Sequence, residues 1–176
     1  MNVKDAELLA KEFLQSINQY CERMEITGSI RRRKEYPSKI EVIVIPKSRT
    51  IYDFMAKLRT LKYTGKLMQS MIVEYKGTSI EVNVSSQDRW YVDLFVTTGS
   101  GKFIKKTMDA LKSKGYSLLT SSGKIVNDNK KEQLINNEEA IFIISGIPYT
   151  EPWDREGGNL SAPPSLSSTI EDQDFV

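Results

Sequence analysis

Ala6, Leu8, Leu9, Ala10, Phe13, Leu14, Ile17 and Tyr20 recur at helical spacing, and they predict an amphipathic helix over 3–24 that also carries Cys21. Residues 24–29 read as a short strand running into a turn. The run Lys-Ile-Glu-Val-Ile-Val-Ile-Pro over 39–46 is rich in β-branched residues and predicts a buried strand. Ile51, Phe54, Met55 and Leu58 share one face of a helix predicted over 50–61. Two or three strands follow over 62–84, with a hairpin turn at Lys76-Gly77-Thr78. Residues 89–97, Arg-Trp-Tyr-Val-Asp-Leu-Phe-Val-Thr, predict another strand. A helix over 100–114 points Phe103, Ile104, Thr107, Met108 and Leu111 inward and stops at Gly115. Two short strands and a helix over 138–144 close the ordered part. The element order predicts an α+β protein, with a larger half over 1–97 and a smaller one over 98–156. The stretch 157–176, with Gly-Gly, Pro-Pro and many serines, is expected to be a flexible, Ser/Pro-rich acidic tail.

Composition narrows the chemistry. The 176 residues contain no histidine, which removes histidine-based zinc sites and Ser-His triads. Any catalysis must use carboxylates, basic residues and hard cations. The single cysteine, Cys21, has no internal disulfide partner and fits a reducing, cytoplasmic compartment; it reads as a small buried hydrophobe. No apolar run approaches the length of about 18 residues that a membrane helix needs. Lys4, Asp5, Glu7, Lys11 and Glu12 interrupt the N-terminal apolar positions, unlike a secretory signal. The net charge of +2 conceals an asymmetry: no Lys or Arg follows Arg155, whereas Glu156, Glu171, Asp172 and Asp174 do. The body is therefore more basic than the total. That suits nucleic acid, and equally suits a solvated surface.

The segment Gly28-Ser29-Ile30-Arg31-Arg32-Arg33 supplies backbone N–H groups, a hydroxyl and paired guanidinium donors after a strand, a combination suited to a triphosphate. Gly99-Ser100-Gly101-Lys102 superficially resembles a phosphate loop, but the upstream glycine is missing and Phe103 stands where Ser or Thr is needed. Lys102, Lys105, Lys106, Lys112 and Lys114 line much of one predicted helix; they suit a DNA backbone or a solvated outer face.

Taken in order, these segments resemble the family X, polymerase-beta-like DNA polymerases. Gly28-Ser29-x-Arg31-Arg32 matches that family's Gly-Ser-x-Arg-Arg, and Glu41 matches the second carboxylate of its Asp-x-Asp strand. Thr98-Gly99-Ser100 with Phe103 and Gly115-Tyr116 resembles the turn into the thumb helix. Glu139 to Phe142, then Pro148-Tyr149-x-Glu151-Pro152-x-Asp154-Arg155, resembles the C-terminal signature. The resemblance covers most of residues 3–156 and is nearest to compact viral or phage forms without the N-terminal lyase domain. It implies a nucleotidyltransferase palm over 1–97, a mixed sheet with flanking helices, and a thumb-like α/β subdomain over 98–156. It implies short-gap repair synthesis with Mg²⁺, in which a DNA primer receives a deoxynucleotide from its triphosphate. Gly28, Ser29, Arg32, Thr98 and Gly99 would hold the nucleotide, and Lys102, Lys105 and Lys106 the DNA. Glu41 would be a metal-binding, catalytic carboxylate, together with Glu81 or, alternatively, Asp93. Glu81 is favoured because the family separates its third Asp from Thr-Gly by a further element, and 90–97 supplies one.

One position departs sharply. The first Asp of the pair bridges two metal ions in the family; here Lys39 takes its place. An ammonium cannot ligate Mg²⁺, and can instead neutralise Glu41 and Glu81. Val96-Thr97 replaces an aromatic pair, and Ile104 and Met108 replace polar contacts on the thumb helix. These departures open a second expectation: a catalytically degenerate module, with or without Mg²⁺, that binds DNA, nucleotide or a protein partner, the last through its acidic tail.

Overall fold

The computed structural model describes residues 1–157. The tail expected beyond Gly157, with any partner it would engage, lies outside the described residues.

The first helix, α1 (Val3–Ile17), is capped by Asn2, whose side chain accepts the Asp5 N–H at 3.0 Å. Ala6, Ala10, Phe13 and Ile17 form its buried stripe. It stops well short of the predicted residue 24. A single turn over Asn18–Tyr20 leads into β1 (Cys21–Thr27), so Cys21 opens a strand and does not ride on the helix. The correction has a tertiary cause: β1 pairs antiparallel with β2 (Ile40–Pro46) from Cys21↔Pro46 to Thr27↔Glu41, which extended backbone alone permits. Between them lies α2 (Gly28–Arg31), a single turn.

A helix, α3 (Ile51–Arg59), carries the chain away from β2. The strands β3 (Tyr63–Gly65), β4 (Ser70–Tyr75) and β5 (Thr78–Val84) then complete a sheet of order β1-β2-β5-β4-β3. Lys76 and Gly77, both at positive φ, make the two-residue turn between Tyr75 and Thr78. Only β2 and β5 run parallel, with Glu41 opposite Glu81. Val42, Val44, Ile80 and Val82 face a core built with α1 and α3. Alternation sends Ile43, Ile45, Glu41 and Glu81 to the opposite face.

Residues 89–97 are not a strand. Arg89 precedes, and residues 90–97 lie in, the helix α4 (Trp90–Thr98). Trp90 and Leu94, four residues apart, pack on Ile43 and Ile45 of the sheet. Val92 and Phe95 enter a second core with Phe103, Leu111, Ile125, Ile141 and Phe142. A helix between two cores is apolar on two sides, and its β-branched composition then mimics a strand. The second core is completed by α5 (Gly101–Ser113), the strands β6 (Tyr116–Leu119), β7 (Lys124–Asn127) and β8 (Glu132–Gln133), and α6 (Glu138–Ser145). The sheet here has three strands where two were expected, because the two-residue β8 is too short to carry a pattern. No helix among the described residues is long and apolar enough to cross a membrane.

Candidate functional site

The parallel pairing of β2 and β5 puts the Glu41 and Glu81 side chains side by side on one sheet face. Lys39, just before β2, lies against them: its Nζ donates to Glu81 Oε1 at 2.9 Å. The hydrogen bond to Glu81 and the charges of both glutamates hold the Lys39 ammonium pKa above its ordinary value, against the smaller effect of burial. Burial pushes the Glu41 carboxyl up, reinforced by Glu81 and opposed by Lys39 and Arg32. Gly28 explains why Glu41 fits. Gly28 has φ +65°, and a Cβ there would land on the Glu41 carboxylate. Glycine is thus required twice over, by backbone and by space.

Arg32 joins this cluster to the second half of the chain. Its Nη1 donates to the Thr98 carbonyl at 2.6 Å, and Gly99 (φ +73°) leaves room for that guanidinium where a Cβ would stand 2.9 Å from Nη1. Its Nε donates to Glu156 at 2.9 Å. Ser29 is buried, its hydroxyl facing the Lys39 carbonyl at 3.4 Å. The peptide between Gly99 and Ser100 is cis.

Beneath lies a buttress that the sequence did not reveal. Arg31 forks onto Glu138, with Nη1 to Oε2 at 3.0 Å and Nη2 to Oε1 at 2.8 Å, and Nη1 also donates to Thr98 Oγ1 at 2.7 Å. Arg155 Nη1 donates to the same carboxylate at 3.1 Å, and Nε donates to the Thr150 carbonyl at 2.8 Å. Arg155 is wholly buried, boxed by the rings of Phe95, Phe103, Phe142 and Tyr149. Its remaining nitrogen, Nη2, has no hydrogen-bond partner. Burial acts to raise the Glu138 carboxyl, but the hydrogen bonds and charges of Arg31 and Arg155 outweigh it and hold the pKa below the usual carboxylate range. In the sequence, Asn137-Glu138 is an ordinary helix start, with Asn137 as the N-cap.

Glu41, Glu81, Lys39, Gly28, Ser29, Arg32, Thr98 and Gly99 therefore converge. Asp93 does not share their contacts. It sits on α4, paired with Arg89 at 2.7 Å and accepting the Ser85 hydroxyl at 2.7 Å. That pair lines a cleft of about 540 Å³, otherwise formed largely by serine, threonine, asparagine and glutamine. Lys102, Lys105 and Lys106 are exposed on α5, and Lys105 pairs with Asp109 at 3.2 Å. Phe103 and Thr107 are core residues, Ile104 is buried and Met108 is half-buried.

Residues 93–156 match the family model of the DNA polymerase beta thumb. The crystal structure of Leishmania infantum polymerase beta in a ternary P/T complex matches with a TM-score of 0.72 at 17% identity, covering 89% of this chain and 76% of that one. The fold is that of the family X, polymerase-beta-like proteins. No curated protein matches the sequence. In this polymerase-beta-like chain the donor set does not fit a two-Mg²⁺ centre. Of two glutamates, one is already bound by an ammonium, and no group of three or more His, Cys, Asp or Glu side chains able to hold a metal occurs among the described residues. The polymerase-beta-like frame is retained around a site whose charge is balanced internally.

Proposed function

We propose that the chain is a polymerase-beta-like DNA-binding module in which a fixed ammonium stands where a metal-dependent polymerase needs a bridging carboxylate. It binds primer–template DNA without efficient nucleotide addition. In this reading residues 1–97 act as the palm and 98–156 as the thumb. Gly28, Ser29, Arg32, Thr98 and Gly99 form the phosphate side, and Lys102, Lys105 and Lys106 face the DNA backbone. The observation that carries the reading is the 2.9 Å contact from Lys39 to Glu81, beside Glu41. A divalent ion about 4 Å from that ammonium is opposed by about 2 kcal/mol even at the dielectric of water, and by about 8 kcal/mol at an effective dielectric of 20. The smaller figure already weakens metal binding by about 30-fold. DNA as the partner is supported by the primer–template complex of the matching Leishmania protein and by the exposed lysines of α5.

A second reading, a competent short-gap polymerase using Mg²⁺, is favoured by one feature: Glu41 and Glu81 lie in register on neighbouring parallel strands, as two metal-binding carboxylates would.

Primer extension across a one-nucleotide gap, with Mg²⁺ or Mn²⁺, separates the two when native protein is compared with Glu41→Ala and Lys39→Asp. Filter binding to the same DNA is run in parallel. The binding-module reading expects DNA retention without extension by the native chain, and extension regained by Lys39→Asp if the remaining frame is sound. Extension by the native chain that Glu41→Ala abolishes refutes it in favour of the polymerase. Absence of DNA binding refutes both.

A further inference from the structure

Two adjacent arginines carry two very different carboxylates. Arg31 holds Glu138, whose side chain is 9% exposed and gripped by two guanidinium groups. Arg32 holds Glu156, whose side chain is 40% exposed although that of Arg32 is only 12% exposed. The first is part of the frame. The second is a rim contact on a half-buried cation, and a rim carboxylate can exchange with another anion at little cost.

The surroundings make that exchange local. Arg155, just before Glu156, is fixed by its buried side chain and by its carbonyl, which accepts the Ser100 N–H at 2.8 Å. Arg32 is held in turn by the Thr98 carbonyl, so its Nε edge stays aimed at the position Glu156 occupies. The second Glu156 oxygen lies 3.6 Å from Lys34 Nζ, which adds another cation to the same spot. Gly157, at φ +85°, then turns against Ser100 and Lys102. Releasing Arg32 therefore requires Glu156 to swing out beyond an anchored residue, with no change in either core.

We propose that Glu156 is a built-in anion that covers the phosphate-binding guanidinium of Arg32 and must be displaced by an organic polyphosphate such as a nucleoside triphosphate. The proposal rests on the reading of Arg32 as part of the phosphate side. The neutral isostere at this position leaves the frame untouched and removes one negative charge from the path of a polyanion.

Titration calorimetry with inorganic tripolyphosphate and with dATP, on native protein, Glu156→Gln, Arg32→Gln and the double variant, tests it. Glu156→Gln should bind both ligands about fivefold or more tightly than native at low salt, with the gain shrinking as salt rises. The double variant should show no gain over Arg32→Gln. Equal affinity of native and Glu156→Gln, with a loss in Arg32→Gln, overturns the gate and leaves the phosphate site standing. If no variant binds tripolyphosphate while gapped DNA is still retained, the gate and the phosphate role of Arg32 fall and DNA binding survives.

Discussion

Glu138→Ala should be the most damaging single substitution at the junction between the two cores. The carboxylate accepts three hydrogen bonds from two guanidinium groups, at 2.8, 3.0 and 3.1 Å. Its loss strands Arg155, which has no exposure and already has one nitrogen without a partner. Breaking a buried charge pair from one side costs about 3–5 kcal/mol, against a total stability of about 5–15 kcal/mol for such a domain. With a urea m-value of about 2 kcal/mol per molar, the unfolding midpoint should fall by about 2 M. Glu138→Leu combined with Arg155→Met should recover most of the loss, because an apolar pair of similar volume replaces a buried ion pair at little cost. Arg31, 22% exposed, can turn to water. The effect should also depend on pH. The folded Glu138 pKa lies below its ordinary value because Arg31 and Arg155 outweigh burial. Its contribution is therefore full above the unfolded pKa of about 4.3, and is lost as pH falls through the folded value. Urea titrations of the native chain and Glu138→Ala at pH 7 and at lower pH provide the check. A loss below about 1 kcal/mol at pH 7, or a gap that fails to narrow in acid, refutes the reasoning.

Other expectations rest on single contacts. Gly28→Ala drives a methyl into the Glu41 carboxylate at a positive φ, so it should cost about 2 kcal/mol or more and lower Tm by about 5 °C; an unchanged melting curve counts against that packing. Lys39→Met leaves Glu41 and Glu81 facing each other without the ammonium that is hydrogen-bonded to Glu81. The native Lys39 pKa is raised, first by its hydrogen bond to Glu81, so its contribution is present below the unfolded lysine pKa and lost only as pH rises through the folded one. The variant should be less stable than native at pH 7, and the gap should shrink as pH rises through the folded Lys39 value; a gap that does not shrink there is the contrary result. Burial pushes the Cys21 thiol up to about 12 despite the Lys47 charge. It should therefore resist a disulfide reagent at pH 8 in the native state and react once urea unfolds the chain; rapid native labelling would contradict this.

The sheet was legible because its strands carry their own instructions. The β-branched run of β2 and the Lys76-Gly77 turn define local geometry without help from the rest of the chain. The α4 segment was not legible by the same rule. Trp-Tyr-Val-Asp-Leu-Phe-Val-Thr has strand composition, and only its position between two cores makes it helical. A weaker cue was present: Arg89 and Asp93 are spaced i, i+4 with opposite charge, and they do pair. At the site, Lys39, Glu41 and Glu81 could be named from motif order, but their contact depends on the parallel register of β2 and β5. Glu138 and Glu156 left no trace in motif or periodicity, because Arg31 and Arg32, the cations that join them to the first half of the chain, lie more than 100 residues away.

The contacts separate what holds the fold from what sets the chemistry. Arg31, Glu138 and Arg155 are tied into one ion-pair network and Gly28 is packed against Glu41, so any change there acts on stability. Lys39 is different: its side chain is 57% exposed and it stands before the first residue of β2. A side chain at that position faces solvent on one side and two carboxylates on the other. The charge at position 39 can therefore change at little cost in packing, and the ammonium present relieves the repulsion between Glu41 and Glu81. By the same logic Lys39→Asp should retain the fold and shift only the charge of the site, which makes it the sharpest probe of the proposed role of Lys39.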